Sequence, residues 1–225
     1  MKATEHCSQQ SQRFVIGDFT RGSLKYISLK LIRLSYKYIL KYIHSRDEFP
    51  YILNRLNLLG EGAEIGTKTG IYSEYILTIW QGRKLYSIDP WIEFPKDVYI
   101  DTANVNLVAQ EKFYKQTCNR LKKFTLRSQI FRTTSAKAAR QFDTGQLDFV
   151  YIDAQHHYEA VKQDLMLWYP KVKKGGILSG HDYIDGKREH GNFGVKSAVN
   201  EFATNNCLSV ISSSESKWPS WFIFL

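Results

Sequence analysis

From Pro50 onward the sequence alternates short apolar runs with segments of helical periodicity. Strands spaced by helices have to re-enter the sheet in the same direction, which leaves an α/β architecture with a mostly parallel sheet and helices on both faces. Strands are expected near Gly62–Gly66, Lys84–Asp89, Ser128–Thr133, Leu147–Asp153, Gly176–His181, Leu208–Ser212 and Trp218–Leu225. Helices fall between them, near Gly70–Gln81, Asn104–Lys122, Ala136–Phe142, Tyr158–Tyr169 and Val195–Asn205. Only the Ser-rich SSSESK segment joins the last two strands, too little for a parallel crossover, so an antiparallel hairpin should close the sheet. The segment Trp91–Ala103 reads as a long loop beside a strand end, a candidate lid or pocket wall, as does the Asp185–Phe193 loop.

The net charge of +9 is unevenly spread. Arg21, Lys25, Lys30, Arg33, Lys37, Lys41 and Arg46 follow one another with no intervening acid, which leaves +2 for everything else. At about 100° per residue, Leu24, Ile27, Leu31, Leu34 and Tyr38 share one face and Lys30, Arg33, Lys37 and Lys41 the opposite one. Residues 1–50 therefore read as a basic amphipathic helical extension, and residues 51–225 as the main domain. The apolar face could pack on that domain or on a second copy in a homo-oligomer, and the basic stripe would suit peripheral attachment to an anionic membrane. No stretch approaches the roughly 18 apolar residues of a membrane span, and the first residues lack the apolar core of a secretory signal, so a cytoplasmic protein is expected. Cys7, Cys118 and Cys207 form no CxxC or Cys/His cluster of the kind that builds a zinc site.

Ala63-Glu-Ile-Gly-Thr-Lys-Thr-Gly70 lies where a strand becomes a helix, and Asp89 ends the next strand, placed to accept hydrogen bonds from ribose hydroxyls. The glycines at 60, 62, 66 and 70 never make the GxGxxG spacing that a dinucleotide pyrophosphate needs. Glu64 would repel a pyrophosphate and suits a cationic nucleoside.

These residues resemble the class I S-adenosylmethionine-dependent methyltransferases, whose first motif is an acidic residue, any residue, glycine, then a later glycine. The resemblance continues through Tyr86-Ser-Ile-Asp-Pro-Trp91, Leu147-Asp-Phe-Val-Tyr-Ile-Asp-Ala-Gln-His-His-Tyr158, Lys174-Gly-Gly-Ile-Leu-Ser-Gly-His-Asp-Tyr183 and Gly194-Val-Lys-Ser-Ala-Val199. It covers about Asn57–Phe224 and is closest to a small-molecule subfamily with IDGxHxY and HDY motifs, from which Ala154 departs by replacing a glycine. It implies a Rossmann-like fold and S-adenosyl-L-methionine as cofactor. It further implies that Glu64, Gly66, Thr67 and Gly70 surround the methionine part, with Asp153 beside it, that Asp89 binds the ribose, and that Ser135 and Ala136 border the adenine.

Methyl transfer from a sulfonium needs alignment of the acceptor and removal of its proton. Asp153, His156, His157, His181 and Asp182 all follow the fourth and fifth strands and can converge. His156 matches the subfamily's histidine and could serve as general base with Asp153 and Asp182 beside it; His157 reads as a surface residue. Alternatively Asp153, His181 and Asp182 could hold a divalent metal, with the His181 nitrogen favouring Mn²⁺ or Fe²⁺ over Mg²⁺. The expected function is O-methylation of a hydroxyl on a sugar or another small metabolite. A nucleic-acid (RNA) methyltransferase is the rival, disfavoured by the nearly neutral main domain and by Asp153-Ala-Gln-His where base-amine enzymes carry Asn/Asp-Pro-Pro-aromatic. A non-catalytic cofactor-binding scaffold is the second alternative.

Overall fold

The computed structural model describes residues 43–96 and 99–225. The elements run α1 (Phe49–Arg55), β1 (Glu61–Ile65), α2 (Ile71–Ile79), β2 (Lys84–Asp89), α3 (Leu107–Leu121), β3 (Ser128–Arg132), α4 (Ser135–Ala139) and β4 (Leu147–Ile152). They continue with α5 (Tyr158–Trp168), β5 (Val172–Gly180), β6 (Asp185–Arg188), β7 (Gly191–Gly194), α6 (Val195–Asn205), β8 (Val210–Ser212) and β9 (Trp221–Phe224). Seven strands form one sheet in the order β3-β2-β1-β4-β5-β9-β8. β1 to β5 are parallel, and β9 pairs antiparallel with both β5 and β8. This is the expected Rossmann-like sheet with its terminal hairpin.

Strand alternation divides the core between two faces. Ala63, Ile65, Tyr86, Ile88, Val150 and Ile152 point to a layer built from α4, α5 and α6, where Leu165, Trp168, Ala198 and Val199 are buried. Leu85, Phe149, Tyr151, Ile177 and Phe222 point to the other layer, where α1, α2 and the end of α3 supply Phe49, Leu53, Ile76 and Leu121.

Two elements differ from the sequence reading. The Asp185–Phe193 loop is an antiparallel ribbon, β6 with β7, set apart from the main sheet. Its sequence, DGKREHGNFG, lacks the apolar alternation by which strands are recognised. The second is α1, which straddles residue 50 and is preceded by a 3₁₀ turn at Arg46–Glu48 whose N-cap, Ser45, accepts from Asp47 N at 3.2 Å. Phe49 is fully buried, with its ring 5.3 Å from Phe149, 5.7 Å from Tyr151 and 5.4 Å from Phe222. Burial of that side chain contributes about 2–3 kcal/mol, enough to fix a two-turn helix that is too short to persist alone. The main domain thus takes in residues before 51, and Ile43 is already in the core.

The basic amphipathic helix expected over residues 21–46 lies outside the described residues except for 43–46. No helix among the described residues is long and apolar enough to cross a membrane.

Candidate functional site

A cavity of about 960 Å³ opens at the carboxyl edge of the parallel strands. Its walls come from the turns after β1, β2, β4 and β5, from the Trp91–Ala103 segment and from the β6–β7 ribbon. This is where open α/β sheets take ligands.

One end is built by the turn after β1. Gly66 adopts φ +90°, and a Cβ there would stand 2.0 Å from the carbonyl oxygen of Asp153, so only glycine lets the ends of β1 and β4 approach. Gly70, at φ +74°, caps α2. Thr67 is buried and lines the cavity. Asp89 accepts from the backbone N–H of Lys68 and of Trp91, each at 2.8 Å, so its carboxylate braces the glycine turn while lining the cavity. Burial raises its pKa, and those donors only partly offset the effect.

Glu64 departs from the free carboxylate suggested by sequence. It is buried, accepts from Ser73 Oγ, and Ser73 Oγ lies 2.7 Å from Ser87 Oγ. Complete desolvation pushes its pKa up to about 8 against the Ser73 hydrogen bond. Burial thus favours the protonated form of Glu64, against the pull of Ser73 and Arg46 toward the carboxylate.

Farther along, Ser135 and Ala136 line the cavity at the start of α4, as does Asp164 from α5. Ser135 Oγ donates to Asp164 and accepts from Trp168 Nε1 at 2.8 Å. Burial pushes Asp164 up to about 6.

The opposite end gathers charges from four segments. His156 Nδ1 donates to Asp101 Oδ2 at 2.8 Å, and its ring stacks on Phe193 of β7 at 4.8 Å. Nε2 lies 3.0 Å from Asp182 Oδ2 and 3.7 Å from Asp153 Oδ1, without hydrogen-bond alignment to either. His181 Nδ1 is 3.0 Å from Asp182 Oδ1. Burial pulls the pKa of His156 down, but the three carboxylates outweigh it and hold it well above the ordinary imidazole value. Burial likewise opposes and the histidines outweigh at Asp182, which is held well below the usual carboxylate range. Asp182 has φ +53°, a left-handed backbone that an aspartate tolerates better than most residues and that costs about 1 kcal/mol. Asp153 Oδ2 accepts from Arg46 Nη1 at 3.2 Å. Donor atoms of Asp153, His181 and Asp182 all lie within 4.8 Å of one another.

A family model described as a methyltransferase domain matches residues 63–183, more than half of the chain. The chain belongs to that family. It is a class I S-adenosylmethionine-dependent methyltransferase, with the fold those enzymes share. None of the curated proteins matches the sequence significantly. Among solved structures it is similar to the O-methyltransferase TomG from Streptomyces achromogenes, involved in tomaymycin synthesis and solved with S-adenosylmethionine. The identity is 13%, the TM-score 0.54, and 98% of this chain and 96% of that one are covered. A methyltransferase from Geobacter sulfurreducens aligns over 99% of this chain and 96% of its own, with 10% identity and TM-score 0.52. A candidate rRNA methylase from Clostridium thermocellum covers 80% of this chain and 95% of its own at 14% identity and TM-score 0.56. At such identities the likeness is one of fold, so these names do not choose the acceptor.

In this methyltransferase, all the expected site residues but Gly70 line one cavity: Glu64, Gly66, Thr67, Asp89, Ser135, Ala136, Asp153, His156, His181 and Asp182. Gly70 acts from behind, through the cap of α2. His157 is half-buried at the N-cap of α5, with Nδ1 lacking a hydrogen-bond partner, and is not the surface residue expected. The Trp91–Ala103 segment forms the expected wall through Ile92, Phe94, Tyr99, Asp101, Thr102 and Ala103. Ala154 lies outside the left-handed region, so replacing the subfamily's glycine there demands no strained backbone. Sequence reading missed Asp101, Asp164 and Arg46. Asp101 reaches His156 only because Thr102 N donates to His190 O at 2.9 Å and Asp101 bridges Gly191, tying wall to ribbon. No motif marks such a contact.

Proposed function

We propose that this methyltransferase transfers the methyl group of S-adenosyl-L-methionine to a hydroxyl oxygen of a small molecule, a sugar or a metabolite of similar size. The observation that carries this reading is the convergence of Asp153, His156 and Asp182, with Asp101 behind His156, at one end of the cavity whose other end holds Glu64, Asp89 and Ser135. A volume of about 960 Å³ suits a nucleoside cofactor plus a small acceptor.

S-adenosylmethionine, when bound, supplies an electrophilic methyl group with a neutral thioether as leaving group. Asp89 accepts the ribose hydroxyls, Ser135, Ala136 and Asp164 border the adenine, and Glu64, Gly66 and Thr67 enclose the methionine end. The acceptor hydroxyl donates to Asp182. As the oxygen gains its methyl group it becomes a protonated ether, a far stronger acid than any carboxylic acid, so even a carboxylate of low pKa takes that proton. His156 therefore acts chiefly as a positioned cation: Asp101 fixes its ring, and it holds Asp182 in place. This moves proton acceptance from His156, where the sequence suggested it, to Asp182.

The close set of Asp153, His181 and Asp182 also fits a divalent cation. These three would hold it, and it would bind acceptor oxygens and lower the pKa of a hydroxyl. Its nitrogen donor suits Mn²⁺ or Fe²⁺.

The test is transfer of labelled methyl from S-adenosylmethionine to a panel of hydroxylated small molecules and to structured RNA, with and without exhaustive chelation. Ether products on small molecules support the proposal, whereas label only in RNA or only on nitrogen overturns it. Turnover that survives chelation and is not raised by Mn²⁺ or Fe²⁺ removes the metal.

A further inference from the structure

Arg46 enters the cavity from outside the matched residues 63–183. Its placement is held on several sides. Phe49, three residues on, is locked into the aromatic core, Tyr72 OH donates to the carbonyl oxygen of Arg46 at 2.8 Å, and Tyr75 OH donates to that of Asp47 at 2.9 Å. The guanidinium lies over the Tyr72 ring, 4.7 Å from its centroid, and donates through Nη1 to Asp153 Oδ2 at 3.2 Å. A guanidinium carries five N–H donors in a planar fork, and this one borders the cavity beside Glu64, Gly66 and Tyr72. The result is a fixed cation next to a fixed anion, both lining the wall between the two ends, where the glycine turn meets the end of β4.

An α-amino acid is the chemical complement of such a pair, since it carries a carboxylate and an ammonium on one carbon. We propose that Arg46 and Asp153 together receive the amino-acid end of the cofactor, the guanidinium taking the α-carboxylate and the Asp153 carboxylate taking the α-ammonium. This rests on the cofactor orientation given above. Planar, bidentate capture of a carboxylate is what arginine does best, and a lysine at the same place would hold it less well. In the ligand-free protein the two side chains neutralise each other, so neither charge is left uncompensated in a half-buried place.

Calorimetry tests this with two probes in metal-free buffer containing a chelator: S-adenosylhomocysteine, which has the amino-acid end, and 5′-methylthioadenosine, which lacks it. The wild type should bind the first more tightly. Arg46→Met should weaken S-adenosylhomocysteine roughly 10- to 100-fold, as expected for a lost charge-assisted hydrogen bond, and leave 5′-methylthioadenosine within about twofold. Arg46→Lys should recover part of the loss. Retained 5′-methylthioadenosine binding also reports that the variant is folded. Equal loss of both probes would assign Arg46 a purely structural role, and unchanged S-adenosylhomocysteine binding with a raised KM for the acceptor would place it on the acceptor side; either result overturns the inference. A wild type that binds 5′-methylthioadenosine as tightly as S-adenosylhomocysteine overturns it too while leaving the cofactor reading intact. A wild type that binds neither removes both.

Discussion

The two ends of the cavity handle carboxyl groups in opposite ways. At the cofactor end Glu64, Asp89 and Asp164 meet hydroxyls and backbone N–H groups, and burial raises all three pKa values. At the other end Asp101 and Asp182 meet imidazoles, and both are lowered although burial opposes it. Neutral donors do not offset desolvation even with the charges of Arg46 and Lys68 in the neighbourhood, whereas imidazoles paired directly with a carboxylate do. The first end is thus adapted to receive positive charge from a ligand, which would draw Glu64 into its ionised form. The second carries its own cations and holds its aspartates ionised for work on a neutral acceptor.

The largest expected break of this contrast is kinetic. Asp182→Asn should lower kcat by about 10²–10⁴ while leaving the Kd for S-adenosylmethionine nearly unchanged, because it removes the proton acceptor and the charge facing His156 and His181 at the end away from Glu64 and Asp89. His156→Ala should lower kcat by about 10- to 100-fold with the same spared Kd. Equal loss of turnover and cofactor affinity in both variants would show that the two ends are not separable.

Next comes the pH dependence of stability set by Glu64. Its folded pKa is about 8 against an ordinary value of 4.5, so between those pH values the unfolded chain ionises while the folded protein must keep the proton. The Glu64 contribution is complete below about 4.5 and declines as pH rises to about 8, by about 3–5 kcal/mol at 1.36 kcal/mol per unit. Urea melts of the ligand-free protein at pH 5, 6.5 and 8 should show this decline, and Glu64→Gln should lessen it, leaving the part that comes from the raised Asp89, Asp164, His156 and His181. Saturating S-adenosylmethionine should lessen it as well, since a bound cation favours the carboxylate.

Gly66→Ala should cost about 2–4 kcal/mol, because the added Cβ meets the Asp153 carbonyl at 2.0 Å and the backbone sits at φ +90°. Thermal melting checks it, and a midpoint within a degree of wild type would refute the close-approach argument. The smallest effect belongs to Ala154→Gly. Restoring the subfamily's glycine at a position with ordinary φ should destabilise by only about 0.4–1 kcal/mol, through the freer unfolded chain.

The sequence by itself determined the order of elements, the direction of the strands and the turns that carry Glu64, Gly66, Asp89, Asp153, His156 and Asp182. These are local matters, because apolar period, turn glycines and acids at strand ends are all written within a few residues of one another. The α1 helix, the β6–β7 ribbon and the parts played by Arg46, Asp101 and Asp164 were not legible. The ribbon is a local hairpin whose sequence carries no apolar alternation, and the others depend on contacts between distant segments: Asp101 meets His156 across 55 positions and Arg46 meets Asp153 across 107. Tertiary structure alone decided how the charges pair, and through that pairing which groups hold their protons, because desolvation and the nearest opposite charge are properties of a place in the fold.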